Sequence, residues 1–310
     1  MEHSSSTRVA FGAVKNHKGK RVKAPKFSYV RADNIDQTLA LLSEHGEDAR
    51  ILAGGQSLMP TLNMRLSQPE ILIDINRLDA LKGISVKDGM VRIGALARHA
   101  EVAGSDIIAE HLPLIAEAMP HVAHVAVRNR GTFGGSIALA DPAAEMPACA
   151  LALGATFVLQ GTAGRREVTA DDYFLGLYET ARKPDELLVE TLIPAEPAGS
   201  ISVFLELAQR HGDFAMAGIA CVARIDGDRI IDARLVYFGS EAKPTLASNT
   251  IAAIGGKAWS EATQDDANAA LAGDLDPMTN LQGSAAMKLH LQRVLTKRAL
   301  DAAIVRARAA

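Results

Sequence analysis

Apolar positions along this chain fall into short runs that alternate between strand-like and helix-like spacing. Phe27-Ser28-Tyr29-Val30 opens the first run. Asn34 and Gln37 form a capping pair ahead of Ile35, Leu39 and Leu42, apolar at helical spacing, and Gly46 closes that helix. Ala49-Arg50-Ile51-Leu52 predicts a buried strand, residues 57–65 a helix with Ser57 near its N-cap, and Ile71-Leu72-Ile73-Asp74-Ile75 a second strand. A new sheet is expected from Met90-Val91-Arg92-Ile93, then a helix with Pro113 in its first turn that buries Ile115, Ala116 and Met119. Residues 155–159, Val168 and residues 187–193 read as strands, and Pro194, Pro197 and Gly199 form the clearest linker. Beyond it, residues 201–207, 217–225 and 229–238 predict three strands, with Asp226-Gly227 as a hairpin turn. Helices follow, the last near residues 284–306 and expected to bury Met287, Leu291, Val294, Leu295 and Ala302.

These runs divide the 310 residues into a basic tail (1–26), a small α/β unit (27–80), a second unit (81–198) and a C-terminal domain (199–310). In the tail, Lys15, Lys18, Lys20, Arg21, Lys23 and Lys26 face one acid, Glu2; a solvated segment and a docking arm for an acidic surface both fit. A net charge of −3 argues against nucleic acid as the main partner. No apolar stretch is long enough to span a bilayer, and no signal-peptide pattern opens the chain, so a cytoplasmic location is expected. Two separated cysteines, Cys149 and Cys221, predict buried thiols and are too few for an iron–sulfur cluster. The histidines show no metal-binding spacing, so no metal site is expected and any redox chemistry needs an organic cofactor.

Two glycine pairs carry the strongest chemical signal: Ala53-Gly54-Gly55-Gln56-Ser57 and Thr132-Phe133-Gly134-Gly135-Ser136. Each joins an apolar run to a predicted helix, where bare backbone N–H groups can approach an anion. Two such turns suggest one diphosphate held from two sides; neither has the P-loop lysine or the G-x-G-x-x-G spacing. Ser57 can donate to phosphate or cap its helix, and Gln56 can meet a ligand carbonyl or cap backbone. Arg128 and Arg130 can balance phosphate charge or stand on the surface. Asp141 and Glu145 can accept from ribose hydroxyls, or serve as a turn residue and a first-turn helix acid.

The run from Ile51 through Ser57 to Leu58-Met59-Pro60 resembles the FAD-binding medium subunits of carbon monoxide dehydrogenase-type and xanthine dehydrogenase-type molybdenum hydroxylases. So do Arg128-Asn129-Arg130-Gly131 ahead of Thr132–Ser136, then Asp141-Pro142, Glu145-Met146-Pro147, and Arg210-His211-Gly212-Asp213-Phe214-Ala215. The resemblance spans residue 25 to the C-terminus. It implies an α+β chain: a PCMH-type FAD-binding fold of two α/β subdomains, then a C-terminal domain with a three-stranded antiparallel sheet and helices.

It further implies that Ala53, Gly54, Gly55, Gln56 and Ser57, with Thr132, Phe133, Gly134, Gly135 and Ser136, wrap the FAD diphosphate. By the same resemblance Glu145 meets the adenosine ribose, Val122 and Leu188 line the cofactor, and Phe214 packs near the flavin ring. Many relatives carry a lysine near Leu205-Glu206, where this chain has none. The implied function is an electron-transfer flavoprotein subunit without catalytic acid–base residues. A large partner would hold a molybdenum cofactor and a small one two [2Fe-2S] clusters, and FAD would hand electrons to NAD, a quinone, oxygen or another carrier. The alternatives are a self-sufficient FAD oxidase or reductase of the same broad fold, and a scaffold that has lost its flavin.

Overall fold

A computed structural model describes residues 24–309, so the tail expectation falls almost wholly outside the described residues. The first unit runs β1 (Ser28–Arg31), α1 (Ile35–His45), β2 (Ala49–Leu52), α2 (Leu58–Asn63) and β3 (Ile71–Asp74). All three strands are parallel, in the order β1-β3-β2. The predicted cap is present: Gln37 N–H donates to Asn34 Oδ1 at 2.8 Å, and Gln37 Oε1 accepts from Asp33 N–H at 2.6 Å. Gly46 closes α1 at φ 52°, a conformation open to glycine.

The second unit opens with the hairpin β4 (Ile84–Lys87) and β5 (Met90–Gly94). Six short helices follow: α3 (His99–Ala103), α4 (Asp106–His111), α5 (Pro113–Ala118), α6 (Val125–Arg128), α7 (Phe133–Leu139) and α8 (Glu145–Ala152). Then come β6 (Thr156–Gly161), β7 (Gly164–Thr169), α9 (Ala170–Tyr173), the pair β8 (Phe174–Gly176) and β9 (Glu179–Thr180), and β10 (Leu187–Pro194). The five-stranded sheet has the order β4-β5-β10-β6-β7. Strand alternation gives it two apolar faces. Phe157, Leu159, Leu188 and Ile193 join the core built with α5, α7 and α8, while Val158, Leu187, Val189 and Leu192 pack with the first unit.

In the last part, β11 (Ser200–Leu207), β12 (Ala217–Asp226) and β13 (Arg229–Phe238) form the expected antiparallel meander. A fourth strand, β14 (Thr245–Leu246), pairs with β13, so the sheet has four strands rather than three. Two residues are too short a run to show period-two alternation, which is why the sequence did not announce it. The helices are α10 (Ser248–Ile254), α11 (Glu261–Asp274) and α12 (Ala285–Ala309). One face of this sheet, with Val203, Ile219, Cys221, Leu235 and Tyr237, packs on those helices. The other, with Phe204, Ala220, Val236 and Phe238, joins the core of the second unit.

Helix α12 bears out part of the expected face, with Leu295 buried and Leu291 and Ala302 packed against the core, and corrects the rest. Its buried residues are Lys288, Gln292, Leu295, Thr296, Ala299, Leu300, Ala303 and Ile304, and Met287 is exposed. The polar members have backbone partners: Lys288 Nζ donates to Gly239 O (3.2 Å), Gln292 Nε2 to Phe238 O (3.1 Å), and Thr296 Oγ1 to Gln292 O (2.7 Å). A pattern based on hydropathy assigns such residues to solvent. Here Lys288 and Gln292 satisfy carbonyls at the end of β13, which a leucine cannot do, while Thr296 bonds back within its own helix.

Candidate cofactor site

The two glycine pairs, 80 residues apart in sequence, lie in segments that touch in space. A Cβ on Gly54 would meet the Arg130 carbonyl oxygen and lie 2.8 Å from Gly131 Cα. Only a residue without a side chain permits this approach. Gly55 sits at φ 71°, the left-handed region that other residues enter at a cost.

Two residues that the sequence did not single out tie the turns together. Asn76, just past β3, donates from Nδ2 to Ala53 O (2.8 Å) and Leu52 O (3.2 Å). Arg98 donates to Asn76 Oδ1 (2.6 Å) through one guanidinium nitrogen and to the Arg130 carbonyl through another. Each stands beside another polar residue, Arg77 or His99, with no motif to mark it.

The turns differ in what they offer a ligand. The N–H groups of Gly54, Gly55, Gln56 and Ser57 have no acceptor among the described residues, so four donors remain free at the start of α2. In the second turn Phe133 N–H donates to Ala97 O (2.9 Å), Gly134 N–H to Ala95 O (3.1 Å) and Gly135 N–H to Thr132 Oγ1 (3.0 Å). A Cβ on Gly134 would lie 2.6 Å from Ala95, so that glycine permits close packing. Thr132 Oγ1 already accepts, which leaves its hydroxyl proton to donate outward. The α7 dipole still favours an anion there, although its first-turn donors are taken.

Other expected positions separate by side chain. Gln56 Nε2 donates to Gly54 O at 3.1 Å, so it braces the turn. Ser57 is exposed and makes no side-chain cap. Phe133 is fully buried and Leu188 nearly so, both in the main core, which leaves their backbone as the part able to reach a ligand. Val122 is buried at the rim of the same core. Arg128 donates to Val122 O and Ala123 O, both at 2.8 Å, and so holds the loop ahead of α6 rather than a phosphate. Gly212 rests on His124, where a Cβ would lie 2.8 Å from Cε1, and His121 stands 6.1 Å from the His211 ring. The loop that carries Phe214 is therefore seated on the Val122 loop, and Phe214 is 61% exposed.

Glu145 begins α8 and is buried. Burial, with Asp141 adding, pushes its carboxyl up to about 7. Among the described residues it takes a hydrogen bond from its own backbone N–H and from no other residue. Tyr178, at the turn between β8 and β9, donates to Asp141 Oδ2 at 3.1 Å. His99 packs against Gly131 with Nδ1 unpartnered, and burial drives it down to about 4, so it is a neutral ring at physiological pH. The free donors of the first turn, the Thr132 hydroxyl and the buried Glu145 carboxyl suit a ligand with a diphosphate and hydroxyl groups, which FAD has.

Comparison with known proteins agrees. Residues 25–196 match the FAD binding domain in molybdopterin dehydrogenase, and residues 202–303 the CO dehydrogenase flavoprotein C-terminal domain. The chain is 39% identical over 301 residues to the 6-hydroxypseudooxynicotine dehydrogenase complex subunit alpha of Paenarthrobacter nicotinovorans, covering 93% of this chain and 97% of the relative. It is 39% identical over 283 residues to the carbon monoxide dehydrogenase medium chain of Hydrogenophaga pseudoflava, covering 91% and 98%. The solved structure of that dehydrogenase, in a form lacking the Mo-pyranopterin moiety, superposes with a TM-score of 0.88 over 91% of this chain and 99% of that one. A chain with both domains in this order, matched end to end by such relatives, belongs to the family of FAD-binding medium subunits of molybdenum hydroxylases of the carbon monoxide dehydrogenase and xanthine dehydrogenase type.

Proposed function

We propose that this chain is the flavoprotein subunit of a three-subunit molybdenum hydroxylase. A large partner with the molybdenum cofactor would oxidise the substrate, and a small partner with [2Fe-2S] clusters would deliver the electrons. The carrying observation is the pair of touching glycine segments, one with four N–H donors that have no acceptor among the described residues, in a chain of the medium-subunit family. Bound FAD supplies the ability to take electrons singly and pass them on singly or in pairs.

The chain's own residues bind and orient. Gly54 to Ser57 would donate to the diphosphate, with the Thr132 hydroxyl on its other side, while Asn76 and Arg98 hold the two turns in register. Glu145 would accept from a ribose hydroxyl. Phe214, exposed on its seated loop, would cover part of the ring system. Val122 and the Leu188 backbone would close the remaining wall. The match of both domains to medium subunits favours electron transfer over a self-sufficient oxidase.

Co-expression with the two partner subunits tests the reading. The expected product is a complex that reduces its flavin when substrate reaches the large subunit, whereas this chain alone turns over no substrate. Turnover by the isolated flavin-loaded chain would favour the oxidase or reductase reading. Rapid mixing of the reduced complex with NAD, a quinone analogue or oxygen identifies the acceptor.

A further inference from the structure

Lys288, near the start of α12, is fully buried. A buried ammonium is costly, and an apolar side chain of similar length would fill the same space without that cost. Among the described residues its Nζ has one hydrogen-bond acceptor, Gly239 O at 3.2 Å. The lysine is thus directed at a single carbonyl just past β13. Three segments meet at that residue. Gly239 N–H donates to Pro142 O at 2.8 Å, in the loop between α7 and α8 that leads to Glu145. Gly239 also lies against Ala215, where an added Cβ would stand 2.9 Å from the Ala215 oxygen. One turn further along α12, Gln292 Nε2 holds Phe238 O at 3.1 Å, the carbonyl of the peptide whose N–H reaches Pro142. The peptides on either side of Gly239 are therefore both held from α12, one by Gln292 and one by Lys288.

We propose that Lys288 is a positioning residue for the cofactor: through the Gly239 carbonyl it fixes the surface on which Ala215 rests, and so sets the neighbouring Phe214 over the flavin ring. It rests on the reading given above, in which FAD is bound and Phe214 covers part of its ring system. Phe214 is exposed, and its own carbonyl has only the Gln282 amide at 3.4 Å, so its place depends on the seat beside it. Gln292 fixes the Phe238–Gly239 peptide and with it the bond to Pro142. Lys288 fixes the next peptide, which would otherwise turn freely about a glycine. A methionine at 288 keeps the packing and drops that hold. The effect passes to the Phe214 loop and not to the glycine turns, which lie on other elements. The ring end of FAD should feel the change and the diphosphate end should not.

The test titrates FAD, and separately ADP, into the flavin-free full-length chain. Wild type is compared with Lys288→Met, Phe214→Ala, the double variant and Gly55→Asp, each checked for folding by circular dichroism. Hydrogen exchange over residues 210–216 is followed by mass spectrometry in the flavin-free proteins. Lys288→Met is expected to exchange faster over that loop, to bind FAD about fivefold more weakly, the scale of one lost hydrogen bond, and to bind ADP as wild type does. In the Phe214→Ala background it should cost nothing further, because the lysine acts through that ring. Equal losses of FAD and ADP, a loss that adds in full to that of Phe214→Ala, or exchange and affinity equal to wild type would each overturn the proposal. Should Lys288→Met fail to fold, Lys288→Gln, which removes the charge and shortens the side chain, is judged by the same criteria. If wild type takes up neither ligand, or Gly55→Asp binds both as wild type does, the FAD reading fails. Exchange over residues 210–216 then decides the lysine's hold on the loop: faster exchange in Lys288→Met supports it, and unchanged exchange overturns it.

Discussion

Gly134 and Gly55 look equivalent as letters in two similar motifs, yet they do different work. Gly134 lets α7 pack against Ala95, where a methyl group would be 2.6 Å from backbone and side-chain atoms. Gly134→Ala should therefore destabilise the flavin-free chain by about 1–3 kcal/mol, the usual size of overpacking, read by urea denaturation. Gly55 has more room, with Leu52 Cδ1 at 3.1 Å from an added Cβ, but its φ of 71° is the obstacle. Gly55→Ala should cost about 1–2 kcal/mol through backbone strain, and should also weaken FAD because the free N–H groups shift. The glycine pairs themselves were plain in the sequence. Which N–H groups of the turns were already taken was not, because Ala97 and Ala95, the acceptors, lie 36 residues before Phe133 and 39 before Gly134 and carry no signal.

At the level of elements, the site depends on connections between pieces that are remote in sequence. Arg98 bridges the ends of β3 and α6 through Asn76 Oδ1 and the Arg130 carbonyl. Arg98→Met keeps the unbranched apolar stem and removes both bonds, so FAD affinity should fall at least tenfold, about 1.4 kcal/mol, in a fluorescence titration; unchanged affinity would mean the turns hold their register without it. In α12, Gln292 donates to Phe238 O and to Ser240 Oγ at 2.7 Å. Gln292→Leu should cost about 1–3 kcal/mol in unfolding free energy, since buried acceptors lose their donor. Strands were largely legible because apolar runs of strand length survive in β10, β11 and β13. The packed face of α12 was legible only in part: Leu295 is buried as expected, but Lys288, Gln292 and Thr296 break the apolar stripe for the sake of hydrogen bonds.

For the molecule as a whole, buried titratable groups set the dependence of stability on pH. Glu145 and Glu206 are raised by burial, so the folded flavin-free chain holds protons that the unfolded chain releases above about pH 4.5. Their contribution is present at low pH and is lost as pH rises through about 7 to 8. His99 acts oppositely: lowered to about 4, it withdraws stability as pH falls from 6.5 toward 4. Above pH 6.5 the carboxyls act alone, so the melting temperature of the flavin-free chain should fall between pH 6.5 and pH 9, and Glu206→Gln should flatten that slope. Among the described residues no helix is long and apolar enough to cross a membrane. The central claim is that this chain carries FAD between its two glycine turns and its C-terminal domain. The visible spectrum of the purified full-length chain, with the released cofactor identified, tests it most directly. The account predicts a flavin spectrum and release of FAD. A colourless chain that takes up no added FAD, alone or with its partner subunits, would contradict it.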